Sequence, residues 1–105
     1  MSEGRKIATL EEARLTMIQL SKVYKVAERY RDLLEERCEV VKCTPEDPSA
    51  NYHLLWMLQE ILHNEQQSIT KKHRWLGCVQ GIIIMKGYTS VQKERDATRD
   101  VFDGD

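Results

Sequence analysis

The sequence has little proline, little glycine and no long apolar run. Its two prolines, Pro45 and Pro48, lie close together, and only five glycines occur in 105 residues, so most of the chain lacks residues that break helices. The longest strongly apolar run, residues 82–85, is far shorter than the roughly 20 residues that span a bilayer. Neither charge sign dominates, since 16 Lys and Arg oppose 17 Asp and Glu, and this balance argues against a strongly basic nucleic-acid binder.

The number of cysteines and the first residues of the chain indicate the cellular compartment in which the protein folds. Three cysteines are an odd number, and no apolar segment follows the first residues, so we expect free thiols in a reducing cytoplasm. The length suits one domain, and 41% hydrophobic with 31% charged residues is globular composition. We therefore expect a single cytoplasmic domain over residues 1–105, with fraying at residues 1–8 and 103–105.

Local signals predict an all-α protein, a helical bundle of about four helices with a long N-terminal helix. Thr9 and Glu12 form a capping-box pattern at the start of a helix that we extend to about Lys42, because no proline or glycine interrupts it. The other helices are predicted over residues 50 or 51 to 63, 69–86 and 90–102, with caps at Ser49, Ser68 and Thr89–Gln92 and a stop at Gly87. The polar residues 63–67 read as a short connection, although one continuous helix through them is an alternative.

The long N-terminal helix carries a heptad pattern. The a positions are Leu10, Met17, Tyr24, Arg31 and Cys38, and the d positions are Ala13, Leu20, Ala27, Leu34 and Val41. Only Arg31 is neither apolar nor small. A second apolar stripe lies beside the first and comprises Ile18, Val23, Val26, Tyr30 and Leu33. A helix with two apolar faces needs two neighbours, so we expect the rest of the chain to cover one face and a second copy to cover the other, giving a homo-oligomer.

Basic residues cluster in the first turn of the predicted third helix, at Lys71, Lys72, His73 and Arg74. Free backbone N–H groups and cations together favour an anion there, which predicts a site for a phosphate-bearing ligand. The alternative is that acidic residues elsewhere in the chain neutralise the cluster.

Gly77 and Gly81 lie four residues apart on the same helix and share one face. Such a pair allows another backbone to approach closely, either within the chain or between copies. With Trp75 as an aromatic anchor, these three residues form a candidate interface.

The segment from Lys72 to Gly81 reads KHRWLGCVQG and resembles an HRWLGxVQG-like segment of small helical proteins of tailed phages. In those proteins the segment follows a helix similar to residues 53–57 and precedes a stretch similar to residues 89–99, so the resemblance covers about the last half of the chain. It implies a phage genome, hence the host cytoplasm, and no catalytic residue. Our leading hypothesis is a non-enzymatic phage-type accessory protein that binds a host protein or complex.

Two further hypotheses belong to other classes. The basic cluster supports a nucleotide- or nucleic-acid-binding protein. Glu35, Glu36 and Glu39 resemble the Glu-Glu-x-x-Glu with which all-α nucleotide pyrophosphatases of the MazG kind hold Mg²⁺, but Glu60-x-x-His63 stands where those enzymes have Glu-x-x-Asp. We therefore favour binding over catalysis, and we assign no catalytic residue, no metal ligand and no cofactor.

Overall fold

The computed structural model describes residues 9–102 of the chain, which form four α-helices and, within that range, no strand. They are α1 (Leu10–Glu35), α2 (Asn51–His63), α3 (Ile69–Met85) and α4 (Val91–Phe102). The all-α expectation and the number of helices are confirmed. The expected fraying of residues 1–8 and 103–105 concerns positions outside the described residues.

The start of α1 is confirmed, and its predicted end is wrong. The Glu12 backbone N–H donates to the Thr9 hydroxyl at 3.0 Å, and the Thr9 N–H donates to the Glu12 carboxylate at 2.9 Å, which completes the capping box. The helix ends at Glu35 rather than near Lys42. Just beyond this end, the Arg37 guanidinium donates to the Leu33 carbonyl at 2.7 Å and lies 4.4 Å from the centre of the Tyr88 ring.

The chain between α1 and α2 is held against α2 by backbone hydrogen bonds. The Thr44 N–H donates to Nδ1 of the buried His53 at 2.9 Å, and the Lys42 N–H donates to the Tyr52 carbonyl at 3.1 Å. The N-cap of α2 is Ala50, which makes no side-chain capping bond among the described residues, so the predicted Ser49 cap is wrong.

Both ends of α3 follow the sequence signals. The Ser68 hydroxyl accepts from the Lys71 N–H at 3.1 Å. At the other end Gly87 has φ +78°, its N–H donates to the Ile84 carbonyl at 2.9 Å, and the Tyr88 N–H donates to the Ile83 carbonyl at 3.0 Å. This is a Schellman motif, in which glycine supplies the left-handed residue. Residues 64–68 separate α2 from α3, so the continuous-helix alternative is wrong.

The predicted cap of α4 is displaced by one residue. The Ser90 hydroxyl, not that of Thr89, accepts from the Lys93 N–H at 3.1 Å, because the Thr89 hydroxyl donates instead to the Glu94 carboxylate at 2.7 Å. The backbone of Thr98 is non-helical, with φ −123°, so α4 is kinked there.

The core lies where the second half of α1 packs against α2 and α3. Thirteen hydrophobic residues are buried there: Val23, Val26, Ala27, Tyr30 and Leu34 from α1, Leu54, Leu55, Met57, Leu58 and Ile61 from α2, and Leu76, Val79 and Ile83 from α3. The buried residues described in α4 are the polar Glu94 and Thr98. The first half of α1 contributes nothing to this core and is therefore a different kind of surface.

Candidate functional site

The first half of α1 projects from the bundle. Every residue from Thr9 to Gln19 is exposed, and the first buried residue of the helix is Val23. Leu10 is 92% exposed and Met17 is 70% exposed. An isolated helix of this length is marginal in water, so a second protein surface would stabilise it.

Leu10 and Met17, the two most exposed large apolar residues of this half, lie on the heptad face, whereas the exposed Leu15 and Ile18 lie off it. We use "exposed seam" for the a and d residues Leu10, Ala13, Met17, Leu20 and Tyr24, of which the first three are exposed and Leu20 and Tyr24 are half-buried. Two shallow grooves follow this face and meet at Met17. One, of about 550 Å³, is lined by Leu10, Glu11, Ala13, Arg14 and Met17. The other, of about 370 Å³, is lined by Met17, Leu20, Ser21, Tyr24, Lys25 and Glu28. The exposed seam therefore forms one continuous apolar surface with charged residues along one edge.

The same heptad face is covered farther along the helix. The d residues Ala27 and Leu34 are 0% exposed, and the neighbouring stripe is also buried there through Val23, Val26 and Tyr30. We expected a different neighbour for each face along the whole helix. Instead, the bundle covers both faces of the second half, and the first half is open.

The predicted basic cluster does not form one site, because Lys72 lies in the interior. Its side chain is 2% exposed, and its Nζ donates to the Ile61 carbonyl at 2.6 Å and to the Asn64 carbonyl at 3.0 Å. Burial lowers the pKa of Lys72. These carbonyls belong to the C-terminal end of α2, where a cation is favourable, so Lys72 ties α3 to that end.

The other three basic residues of the cluster lie nearer the surface. Lys71 and Arg74 are exposed and His73 is half-buried. The His73 Nδ1 lies 3.1 Å from the Ile69 carbonyl, and the Lys71 Nζ lies 4.9 Å from the centre of the Trp75 ring. An anion at this helix end would therefore meet Lys71 and Arg74 without Lys72.

The candidate interface at Gly77, Gly81 and Trp75 is partly open. Gly81 is exposed, and a Cβ added there would meet nothing within 4 Å in the described part of the chain, so no intrachain crossing explains this glycine. Gly77 is half-buried. Trp75 is also half-buried, and its ring centre lies 5.6 Å from that of Trp56 on α2.

The carboxylates proposed for Mg²⁺ do not share a helical face. Glu35 is the last residue of α1, Glu36 is its C-cap, and Glu39 lies beyond the helix. Within residues 9–102, no group of three or more His, Cys, Asp or Glu residues could hold a metal ion. Cys78 on α3 is exposed.

Sequence reasoning missed a buried polar network around Glu94. This side chain is 1% exposed, and its carboxylate accepts hydrogen bonds from the Tyr30 hydroxyl at 2.7 Å, from the Thr89 hydroxyl at 2.7 Å and from the Arg29 guanidinium. The Gln80 amide donates to the Tyr30 oxygen at 2.8 Å. The network thus connects α1, α3 and α4. The signal that could have indicated it is the scarcity of apolar residues in α4, which predicts polar docking.

The environment shifts the pKa values of both buried partners. Burial alone would raise the pKa of Glu94, but the hydrogen bonds from Tyr30, Thr89 and Arg29 outweigh it and lower that pKa. The pKa of Tyr30 is raised, chiefly by burial and by its hydrogen bond to Glu94. Glu94 is therefore held ionised and Tyr30 neutral, which fits a structural role.

Comparison of the chain with models of known families, with curated proteins and with solved structures gives no match. Among the described residues, no helix has the length and apolar character needed to cross a membrane.

Proposed function

We propose that the chain is a non-enzymatic binding protein that recognises another protein through the exposed seam of α1. The observation that carries this proposal is that a long helix, firmly packed over its second half, presents an uncovered apolar heptad face over its first half. Contiguous exposed apolar surface with a polar edge is characteristic of protein-interaction sites.

The chemistry of the seam suits a protein partner. Leu10, Met17 and Tyr24 supply large apolar side chains at every second turn of the helix, a spacing that matches the groove or seam of another helix. Glu11, Arg14 and their neighbours at the edge provide charges that can select among partners. The phage-like segment at residues 72–81 leads us to propose an accessory protein of the tailed-phage type, acting on a host protein or complex.

The two other hypotheses have weaker support in the structure. The binding of phosphates would depend on Lys71 and Arg74, because Lys72 is engaged in the interior. Nucleotide hydrolysis with Mg²⁺ would need carboxylates on a common face, and Glu35 and Glu39 lie on different segments.

Site-specific photo-crosslinking in the expressing cells tests the proposed function. A photoreactive amino acid at Ala13 places the crosslinker within the exposed seam, and one at the exposed Gln92 of α4 provides a control. We expect one dominant protein adduct from position 13, absent from position 92, that disappears when Met17→Lys is introduced. Adducts from position 13 that match those from position 92, or that survive Met17→Lys, would contradict the proposal. Mass spectrometry of the adduct identifies the partner.

A further inference from the structure

The exposed seam has a shape and length that specify its occupant. We propose that it is covered by the exposed seam of a second copy of this chain, in an antiparallel pair centred on Met17. This inference rests on the proposed function, because it names the partner of the same surface.

The uncovered stretch of α1 has the same length as the segment of the second copy that would cover it. The seam begins at Leu10, directly after the Thr9 cap, and ends at Tyr24, just before the buried Ala27. Met17 lies midway, seven residues from each end. A two-fold axis at Met17 therefore places Leu10 of one copy opposite Tyr24 of the other, along roughly 21 Å of helix. Such an isologous pair brings the a residues Leu10, Met17 and Tyr24 of both copies together and closes as a dimer.

The bundle itself excludes the parallel alternative. Two parallel helices that pair along residues 10–24 would remain side by side along residues 27–34. That position on the heptad face is already filled by α2 and α3 of the same chain, which leave Ala27 and Leu34 with no exposed surface. In the antiparallel pair, the helix of the second copy reaches its N-cap at this point, so the two bundles lie at opposite ends.

Charge and helix polarity favour the same orientation. The first turn of α1 carries Glu11 and Glu12, and the exposed Lys25 lies one residue beyond the seam. The antiparallel pair places Lys25 of one copy beside the acidic first turn of the other. It also opposes the two helix dipoles, whereas a parallel pair aligns them.

The oligomeric state of the full chain provides the first test. In sedimentation equilibrium we expect the 12.3 kDa chain to form a reversible dimer, because four turns of helix give less area than a standard stable interface. Met17→Lys places two charges at the two-fold axis and should weaken the dimer by roughly 100-fold. Val91→Lys is the matched control, since Val91 is an exposed apolar residue on α4. A dimer that survives Met17→Lys would overturn the inference.

Disulfide trapping tests the orientation. In a chain with Ser at positions 38, 43 and 78, whose fold is checked by circular dichroism, Met17→Cys should form a crosslinked dimer on oxidation. Leu10→Cys should not, because the two positions lie roughly 21 Å apart in the antiparallel pair, well beyond disulfide reach. Efficient crosslinking at position 10 would overturn the antiparallel arrangement.

The two proposals fail in different ways. A chain that stays monomeric at all concentrations, while the position-13 adduct contains a different protein and is lost in Met17→Lys, overturns the second-copy inference and leaves the proposed function intact. An adduct between two copies of the chain supports the second-copy inference and contradicts a host protein as the occupant of the exposed seam.

Discussion

The buried carboxylate of Glu94 accepts a 2.7 Å hydrogen bond from the hydroxyl of Tyr30, and this contact joins α4 to the second half of α1. Tyr30 is 0% exposed and also contacts the hydrophobic core. The fourth helix is therefore docked in part through a polar network, since its buried side chains among those described are Glu94 and Thr98, and this arrangement leads to two predictions.

Glu94→Gln should reduce the free energy of unfolding by roughly 2–3 kcal/mol, because it removes the charge from a buried, hydrogen-bonded carboxylate. Asp96→Asn on the same helix is the control, since Asp96 is 60% exposed and its loss should change stability by no more than about 0.5 kcal/mol. Urea unfolding followed by far-UV circular dichroism measures both. Equal effects from the two variants would contradict a docking role for Glu94.

The stability of the protein should decrease at acidic pH, in part because Glu94 becomes protonated. The pKa of this group is lower in the folded protein than its ordinary value of 4.5, so its contribution is fully present above that value and is lost as the pH decreases through the folded pKa. We expect the acid-induced loss of stability to be smaller in Glu94→Gln than in the natural chain. Unfolding free energies from pH 7 down to about pH 3 test this, and parallel curves would contradict it.

Adjacent lysines on α3 should differ sharply in their effect on stability. Lys72→Gln removes the ammonium group that bonds two carbonyls at the end of α2 and should cost roughly 1.5–3 kcal/mol. Lys71→Gln affects an exposed side chain and should cost less than about 0.5 kcal/mol. Thermal unfolding at neutral pH separates the two. A destabilised Lys71→Gln beside an unaffected Lys72→Gln would be inconsistent with the structure.

Alanine substitutions at two glycines in and after α3 should change the stability of the protein in opposite directions. Gly87→Ala forces a Cβ into a left-handed residue and should destabilise the protein by about 1–2 kcal/mol. Gly81→Ala lies inside α3 where an added Cβ meets nothing in the described chain, and it should stabilise the protein by up to about 1 kcal/mol. Chemical unfolding of both variants provides the measurement. If Gly81→Ala instead destabilises the protein, this face of α3 must pack closely against another protein segment.

The caps show what a sequence can predict. Thr9, Ser68 and Gly87 act through bonds within a few residues of themselves, so their roles could be predicted from the sequence. The end of α1 could not be predicted, because no proline or glycine marks it. The contact of Arg37 with the Tyr88 ring, just beyond this end, joins residues far apart in the chain.

The candidate site was anticipated in part. The heptad pattern identified Leu10, Met17 and Tyr24 as one face, but the same pattern continues through Ala27, and only the tertiary structure shows where the bundle stops covering it. The buried position of Lys72 could not be predicted either. The sequence places it among basic neighbours, whereas the carbonyl that accepts its hydrogen bond lies near the end of α2.

Self-association through the exposed half of α1 is tested by hydrogen–deuterium exchange measured as a function of protein concentration. Amides at residues 13–19 belong to a helical stretch that the bundle does not cover, so they should exchange rapidly in dilute protein and become protected as the concentration rises. Amides near Leu58 in the core should be slow throughout and serve as the internal control. Exchange at residues 13–19 that is independent of concentration would contradict self-association through this half of α1.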